Sequence, residues 1–346
     1  MLGRVDSADQ AATRVRDLQQ RLAKPVRAGS VDVVVTATAG ISIHPADGND
    51  ATTLLRHAET ALRGAAPGGR NTIGFFEAEM AASFAERVGL EQALRGALGR
   101  GELSVSYQPQ LDLANGLLVG AEALARWRHP ERGSIPPAVF VPLAEEMGIV
   151  GEIGTWVLRQ ACNQIAAWEA EGFAMPRVAV NLSAAQLGEP SLARRVQSAL
   201  DDAGVGPERL ELEVTESMVM RQSGSAEAVL ADLREIGVEL AMDDFGTGHS
   251  SLVQLRRLPL ARLKIDLSFV RDIGHDATAE EIVRAIAAMA GGLGLETVAE
   301  GVETEAHADF LRAVGCTFGQ GYLWSRPVPP ADLLAAVRRG ELQAPV

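Results

Sequence analysis

The segment Val238–Leu252 reads VELAMDDFGTGHSSL. An apolar run ends in two adjacent acids, Asp243 and Asp244, and a glycine-spaced loop follows at once. The run has the length and composition of a buried strand closed by a turn. Two neighbouring carboxylates at its end repel each other, and burying either without a partner is costly. Their placement needs a reason, and the rest of the chain supplies one.

From about residue 102 onward the pattern recurs. Short apolar runs alternate with amphipathic helical stretches. The strand candidates are Leu103–Gln108, Leu117–Leu124, Val178–Leu182, Leu210–Thr215, Val238–Asp243, Arg262–Asp266, Glu296–Glu300 and Phe318–Leu323. Helical periodicity falls on Ile153–Glu171, Ser191–Ala203, Ser225–Ile236, Ala279–Gly291 and Glu305–Val314. Such alternation predicts a parallel sheet, and eight repeats predict a closed (β/α)8 TIM-like barrel of the α/β class.

Nearly every strand candidate carries a polar residue within its apolar run. In order these are Gln108, Glu122, Asn181, Glu213, Asp243 with Asp244, Lys264, Glu300 and Gln320. Spread over eight strands they make sense if they converge, and the C-terminal ends of barrel strands share one mouth where active sites lie. Carboxylates and an amide oxygen, with no histidine or cysteine among them, are hard ligands suited to Mg²⁺ or Mn²⁺. The paired aspartates then have a reason. One can bridge two ions roughly 3.5–4 Å apart while the other completes the second ion's shell, as in two-metal phosphoester hydrolysis. The loop Phe245–Ser251 would serve as a glycine-hinged lid.

Composition sets the frame. The chain has 346 residues, 47% hydrophobic and 22% charged, with a net charge of −13. That balance is globular, and it argues against long nucleic acid as a partner, because phosphate backbones are held by Lys and Arg. Of 32 basic residues only Lys24 and Lys264 are lysine, which singles out the ammonium of Lys264 inside the apolar run RLKID. No apolar stretch approaches the ~18 residues of a membrane span, and the first residues lack a signal-peptide core, so no membrane contact is expected of this portion, with a membrane or sensory region upstream left open; two cysteines without a disulfide framework point to a reducing cytoplasm. Cys162 and Cys316 imply no disulfide framework and read as buried small hydrophobes.

Together these residues resemble the EAL family of cyclic di-GMP phosphodiesterases. The motifs are YQPQ (107–110), EALARW (122–127), NLSAAQL (181–187), ELEVTES (211–217), DDFGTGHSSL (243–252), LKIDLSFV (263–270), VAEGVET (298–304) and QGYLWSRP (320–327). The resemblance implies a barrel over residues 88–346 whose first strand runs antiparallel to the rest. It implies hydrolysis of cyclic di-GMP to linear 5'-pGpG with two Mg²⁺ or Mn²⁺ ions, and a homodimer. Carried over by position, Glu122, Asn181, Glu213 and Asp243 would bind the first metal, and Asp243, Asp244 and Glu300 the second. Lys264 would orient or deprotonate the attacking water, with Gln320 beside it. Arg126 would contact phosphate, while Gln108 and Asp266 would face substrate. Glu216 would anchor the DDFGTG loop, and Glu303 would support the second metal. The sequence departs from the family pattern at Ala125, His249 and Thr317, none of them a metal ligand.

Residues 1–77 resemble the second half of a GGDEF diguanylate cyclase domain, through VTATAGISIHPADGNDATTLLRHAETAL and GGRNTIGFF. They read as a small α+β remnant: a helix over Ala11–Leu22, a strand-rich Val31–Ile43, a helix over Ala51–Arg63 and a strand over Thr72–Phe76. A linking helix runs on from residue 78, passing into the barrel domain at about residue 87. The signature glycine loop is absent from this stretch, so no cyclase activity is expected of it. Two functions stay open on this reading: a two-metal phosphodiesterase, or a non-catalytic cyclic di-GMP receptor using the same pocket.

Overall fold

The computed structural model describes residues 8–24, 26–28, 31–33, 35–66, 71–76, 78–221, 225–246 and 255–344. His249 and most of the lid expected over Phe245–Ser251 lie outside them. The chain divides into two compact units, Met1–Ala93 and Leu94–Val346.

In the first unit, β1 (Val26–Ala28) pairs antiparallel with β2 (Val31–Val33). Strand β3 (Ala39–Ile41) pairs in parallel with β4 (Ile73–Phe75), and helix Ala51–Ala65 makes the crossover between them. Asp50 caps that helix by accepting the Thr53 N–H at 2.9 Å, the ordinary use of a short acidic side chain at a helix start. The helix lies so near β3 that a Cβ on Gly40 would stand 2.0 Å from the Ala58 carbonyl oxygen, so only glycine fits there. Ala11, Val15 and Ile41 form a small core with Ala39, Ile43, Ile73 and Phe75 packed on it. The strand-rich stretch Val31–Ile43 is split between the two sheets by the irregular residues 35–38. Nothing in its β-branched alternation marks that break; pairing partners decide it.

The second unit is the barrel. Its strands are β5 (Leu103–Asp112), β6 (Leu118–His129), β8 (Val178–Asn181), β9 (Leu210–Thr215), β10 (Glu239–Phe245), β11 (Arg262–Ile265), β12 (Glu296–Ala299) and β13 (Phe318–Gln320). They close in the order β5-β13-β12-β11-β10-β9-β8-β6, with β6 pairing back onto β5. Strand β5 is antiparallel to both its neighbours, and the other barrel pairs are parallel. This matches the expected barrel with its reversed first strand. One strand was not expected: β7 (Gly133–Ile135) pairs with the far end of β6 and stays outside the ring. Strands β5 and β6 also run past their expected ends, because as an antiparallel pair they keep hydrogen bonding beyond the barrel wall.

Outside the ring, amphipathic helices bury one face each. Helix Val150–Ala170 buries Ile153, Val157, Leu158, Ala161, Cys162, Ile165 and Trp168, the spacing of a single helical face. Trp168 meets Tyr107 of β5 edge-on at 4.9 Å. Both cysteines are free and buried, and burial pushes each thiol up to about 11. Among the described residues no helix is long and apolar enough to cross a membrane.

Side chains alternate in direction along a strand, so residues two apart share a face. That rule places Glu211 with Glu213, and Arg262 with Lys264, in two successive polar layers of the barrel. The lower layer is a closed ionic cluster. Arg262 contacts Glu211 and Glu239 through Nη1, and Glu296 through Nη2 at 2.8 Å. Arg177 stands 3.5 Å from Glu211 and 3.7 Å from Glu239. Both guanidinium groups also approach the Phe318 ring, at 5.7 and 5.8 Å from its centroid. Glu211 is wholly buried. Removing one member of such a cluster leaves an uncompensated buried charge.

Glu211→Gln should therefore lower the unfolding free energy by about 3–5 kcal/mol, read from urea denaturation of the full chain. Glu281→Gln, on an exposed helix face, should change it by less than about 1 kcal/mol.

Candidate functional site

The upper layer is organised around one ammonium. Lys264 lies on β11 and is fully buried. Its Nζ stands 2.6 Å from Glu300, 2.8 Å from Glu213, 3.3 Å from Asp243 and 3.8 Å from Glu122. The four acids come from β6, β9, β10 and the residue just after β12, so the barrel's curvature brings together groups far apart in sequence. Burial alone would drive the lysine neutral. The surrounding carboxylates outweigh it and hold the Lys264 pKa well above its usual range, Asp243 contributing most and then Glu122, Glu213 and Glu300.

One ammonium does not satisfy four acids. Burial pushes Glu213 well above the carboxylate range and carries Glu300 to about 8, against the pull of Lys264 in each case. Oxygen Oε1 of Glu213 is buried with no hydrogen-bond partner among the described residues. A buried, unpartnered carboxylate oxygen amid an excess of acid is the condition a hard cation relieves. The residues present thus fit divalent metal ions. Among the described residues no three acidic, histidine or cysteine side chains are already posed as a ligand cage. The distances above show why: the carboxylates close on Nζ, at the centre of the group.

Amide side chains fix one acid from both sides. Glu122 accepts from Asn181 Nδ2 on one oxygen and from Gln320 Nε2 on the other, both at 2.6 Å. Gln320 also donates to Gln108 at 3.1 Å and accepts from Gln110 at 2.9 Å. Gln108 in turn donates to the Ser325 carbonyl at 3.1 Å. Gln110 was not singled out from sequence. It lies on the same face of β5 as Gln108, two residues on, and the YQPQ motif contained that signal.

The paired aspartates depend on a backbone irregularity. Pairing between β10 and β11 skips from Met242–Leu263 to Phe245–Ile265, so two residues oppose one. In a regular strand Asp243 and Asp244 would point to opposite faces. Here Asp244 has φ of 54°, a left-handed conformation rare outside glycine, and the bulge re-aims its side chain. Burial, then Asp243 and then Asp266, raise its carboxyl to about 6. Asp243 accepts the Asp244 N–H at 2.9 Å.

Gly246 follows, with φ of 100°, and a Cβ there would stand 3.0 Å from the Phe269 ring. Its N–H donates to the buried Glu216 carboxylate at 3.3 Å, which ties the start of the loop to the end of β9.

The remaining candidates sit further out. Arg126 is half-buried, donates to the Ala125 carbonyl at 2.9 Å, and lies in the field of Glu122 and Tyr322. Asp266 caps helix Leu267–Arg271, accepting the Ser268 N–H at 2.9 Å. Glu303 is exposed, with His307 beside it.

Comparison with known proteins places this geometry. The EAL domain profile matches residues 91–327, and the diguanylate cyclase GGDEF domain profile matches residues 1–72. The bifunctional diguanylate cyclase/cyclic di-GMP phosphodiesterase MucR of Pseudomonas aeruginosa is 43% identical over 327 residues, 94% of this chain and 48% of that protein. The cyclic di-GMP phosphodiesterase NbdA of the same organism is 44% identical over 316 residues, 91% of this chain and 40% of that protein. This chain therefore spans less than half the length of either. Among solved structures, the PaMucR phosphodiesterase in complex with c-di-GMP superposes with a TM-score of 0.69 at 46% identity, covering 71% of this chain and 99% of that one. The Xanthomonas citri FimX EAL domain in complex with c-di-GMP superposes with a TM-score of 0.65 at 26% identity, covering 72% and 97%. With its acid-lined eight-stranded barrel preceded by a GGDEF-like stretch, the chain belongs to the EAL domain family.

Proposed function

We propose that the chain is a divalent-metal-dependent phosphodiesterase that opens cyclic di-GMP to linear 5'-pGpG in bacterial second-messenger signalling. The observation that carries this reading is the convergence of Glu122, Glu213, Asp243 and Glu300 on the buried Lys264. The cyclic di-GMP phosphodiesterases among its relatives, and a c-di-GMP complex of similar fold, support the substrate.

Glu122, Asn181, Glu213 and Asp243 would hold a first Mg²⁺ or Mn²⁺, and Asp243, Asp244 and Glu300 a second. Such a pair supplies Lewis acidity and charge neutralisation at the phosphate. The protein's own groups do the rest. Lys264, strongly held in its protonated form, orients water by hydrogen bonding and stabilises negative charge on it, the work of a point charge. Gln320 and Asn181 keep Glu122 in place. Arg126 offers a planar fork of donors to a substrate phosphate, and Gln108 and Asp266 lie on the substrate side. Glu216 anchors the loop after Asp244, with Glu303 nearer the rim. The GGDEF-like stretch through residue 77 and its linker precede an EAL unit over 88–346. The active form is a cytoplasmic homodimer.

The deciding experiment is chromatographic. The purified chain with Mg²⁺ or Mn²⁺ should convert cyclic di-GMP to a linear dinucleotide, and Glu122→Ala should not. Substrate that binds but stays intact after long incubation would leave the receptor reading in its place. Gln320→Ala removes a partner of Glu122, not a ligand, and should lower activity by about 10–100-fold, as outer-shell losses do.

Two further outcomes concern the metal. Mn²⁺ at about 100 times its Kd should raise the stability of the full chain by about 2.7 kcal/mol without substrate, and Glu213→Gln should lose that gain in a melting experiment. Excess Ca²⁺ should inhibit turnover, since it prefers more ligands and looser geometry than the Mg²⁺-sized ions this site suits; full activity in Ca²⁺ would contradict the assignment.

A further inference from the structure

A second polar feature lies between two helices on the outer wall of the barrel, lined by none of the residues around Lys264. A cavity of about 280 Å³ opens between helix Val150–Ala170 and helix Leu192–Ala203. Arg159 reaches it from the first helix, and Arg194 and Arg195 from the second. Its apolar floor includes the buried side chains of Leu158 and Ala199. The arginines are not placed at random. Thr155, Leu158 and Arg159 follow the i, i+3, i+4 spacing of one helix face, and Ser191, Arg194, Arg195 and Ala199 the i, i+3, i+4, i+8 spacing of a single face on the other.

Charge there is out of balance. Arg195 pairs with Glu189 at 2.6 Å. Its Nε is nonetheless shielded and without a hydrogen-bond acceptor among the described residues. Neither Arg159 nor Arg194 has an ion pair among the described residues, so three guanidinium groups face one carboxylate. This occurs in a chain whose net charge is −13, where arginines ordinarily find acids close by. Ser191, at the start of the second helix, makes no capping hydrogen bond, and that helix has no acid in its first turn. The Leu192 N–H is taken by the Glu189 carbonyl at 3.0 Å, and the positive dipole end of the helix adds to the same field.

We propose that this cavity is an anion site that takes a phosphoryl group, free phosphate or the phosphate of a small nucleotide, separate from the barrel mouth. Guanidinium forks match phosphate oxygens in pairs. The volume lies just below the ~300–1,000 Å³ of pockets for drug-sized ligands, so it suits a phosphoryl group with little attached. The proposal does not depend on the hydrolytic reading above.

Calorimetric titration of the full chain with inorganic phosphate, in chelator to keep metals from the barrel, tests it. One saturable site is expected. Arg159→Gln with Arg194→Gln should weaken it by about tenfold or more while Glu122→Ala leaves it unchanged. Guanosine 5'-monophosphate in place of phosphate separates the two sources, tighter binding assigning a nucleotide and equal binding a free anion. Phosphate should also slow phenylglyoxal modification of Arg159 and Arg194 in the unmutated chain relative to the exposed Arg256, a readout that survives if the double variant misfolds. No saturable binding, equal affinity in the double variant, loss in Glu122→Ala, or no protection of the two arginines would each overturn the proposal.

Discussion

The barrel mouth is organised by a single ammonium held among four carboxylates. Without Lys264, Glu122, Glu213, Asp243 and Glu300 would gather unscreened charge in a poorly hydrated space, where each close pair costs far more than in water. With it they converge, yet one cation among four acids still leaves negative charge in excess. Burial raises the carboxyl pKa values of Glu213 and Glu300, and the neighbouring acids add to that rise against the pull of Lys264. The lysine therefore does two things at once: it lets the acids assemble in the folded chain, and it leaves their demand for further positive charge unmet.

The strain in β10 belongs to the same arrangement. A regular strand cannot turn two successive side chains toward one pocket. The bulge after Met242 and the left-handed Asp244 solve this, and backbone strain of this kind costs of order 1–3 kcal/mol per residue and persists only where its surroundings hold it. Glu216 provides part of that hold through the Gly246 N–H. The Gly246 N–H thus ties the chain just after the second aspartate to the end of β9.

The fold was largely legible because each barrel strand pairs a short apolar run with turn residues, and the helices between them keep a clear period. Strand β7 was missed because GSI in Gly133–Ile135 has no run of its own; it exists only as a partner for the overhanging end of β6. The polar residues at the strand ends stood out against apolar runs, and four of the acids singled out stand within 4 Å of one lysine nitrogen. Glu303 rests on its motif alone, and it is exposed. The lower ionic layer went unread. Glu211, Glu239 and Arg262 open their strands, where charge ordinarily means solvent, and only ring closure turns those positions inward.

The two layers of the barrel interior show how the choice of cation decides what a cluster of acids can do. Below, Arg177 and Arg262 serve Glu211, Glu239 and Glu296. Guanidinium groups do not lose their proton in proteins, and their rigid forks and stacking on Phe318 fix them in place, so that layer is nearly neutral and permanent. Above, a single fully buried ammonium meets four acids and leaves their charge in excess. In a chain that otherwise uses arginine almost throughout, lysine stands at the layer where four acids meet one cation.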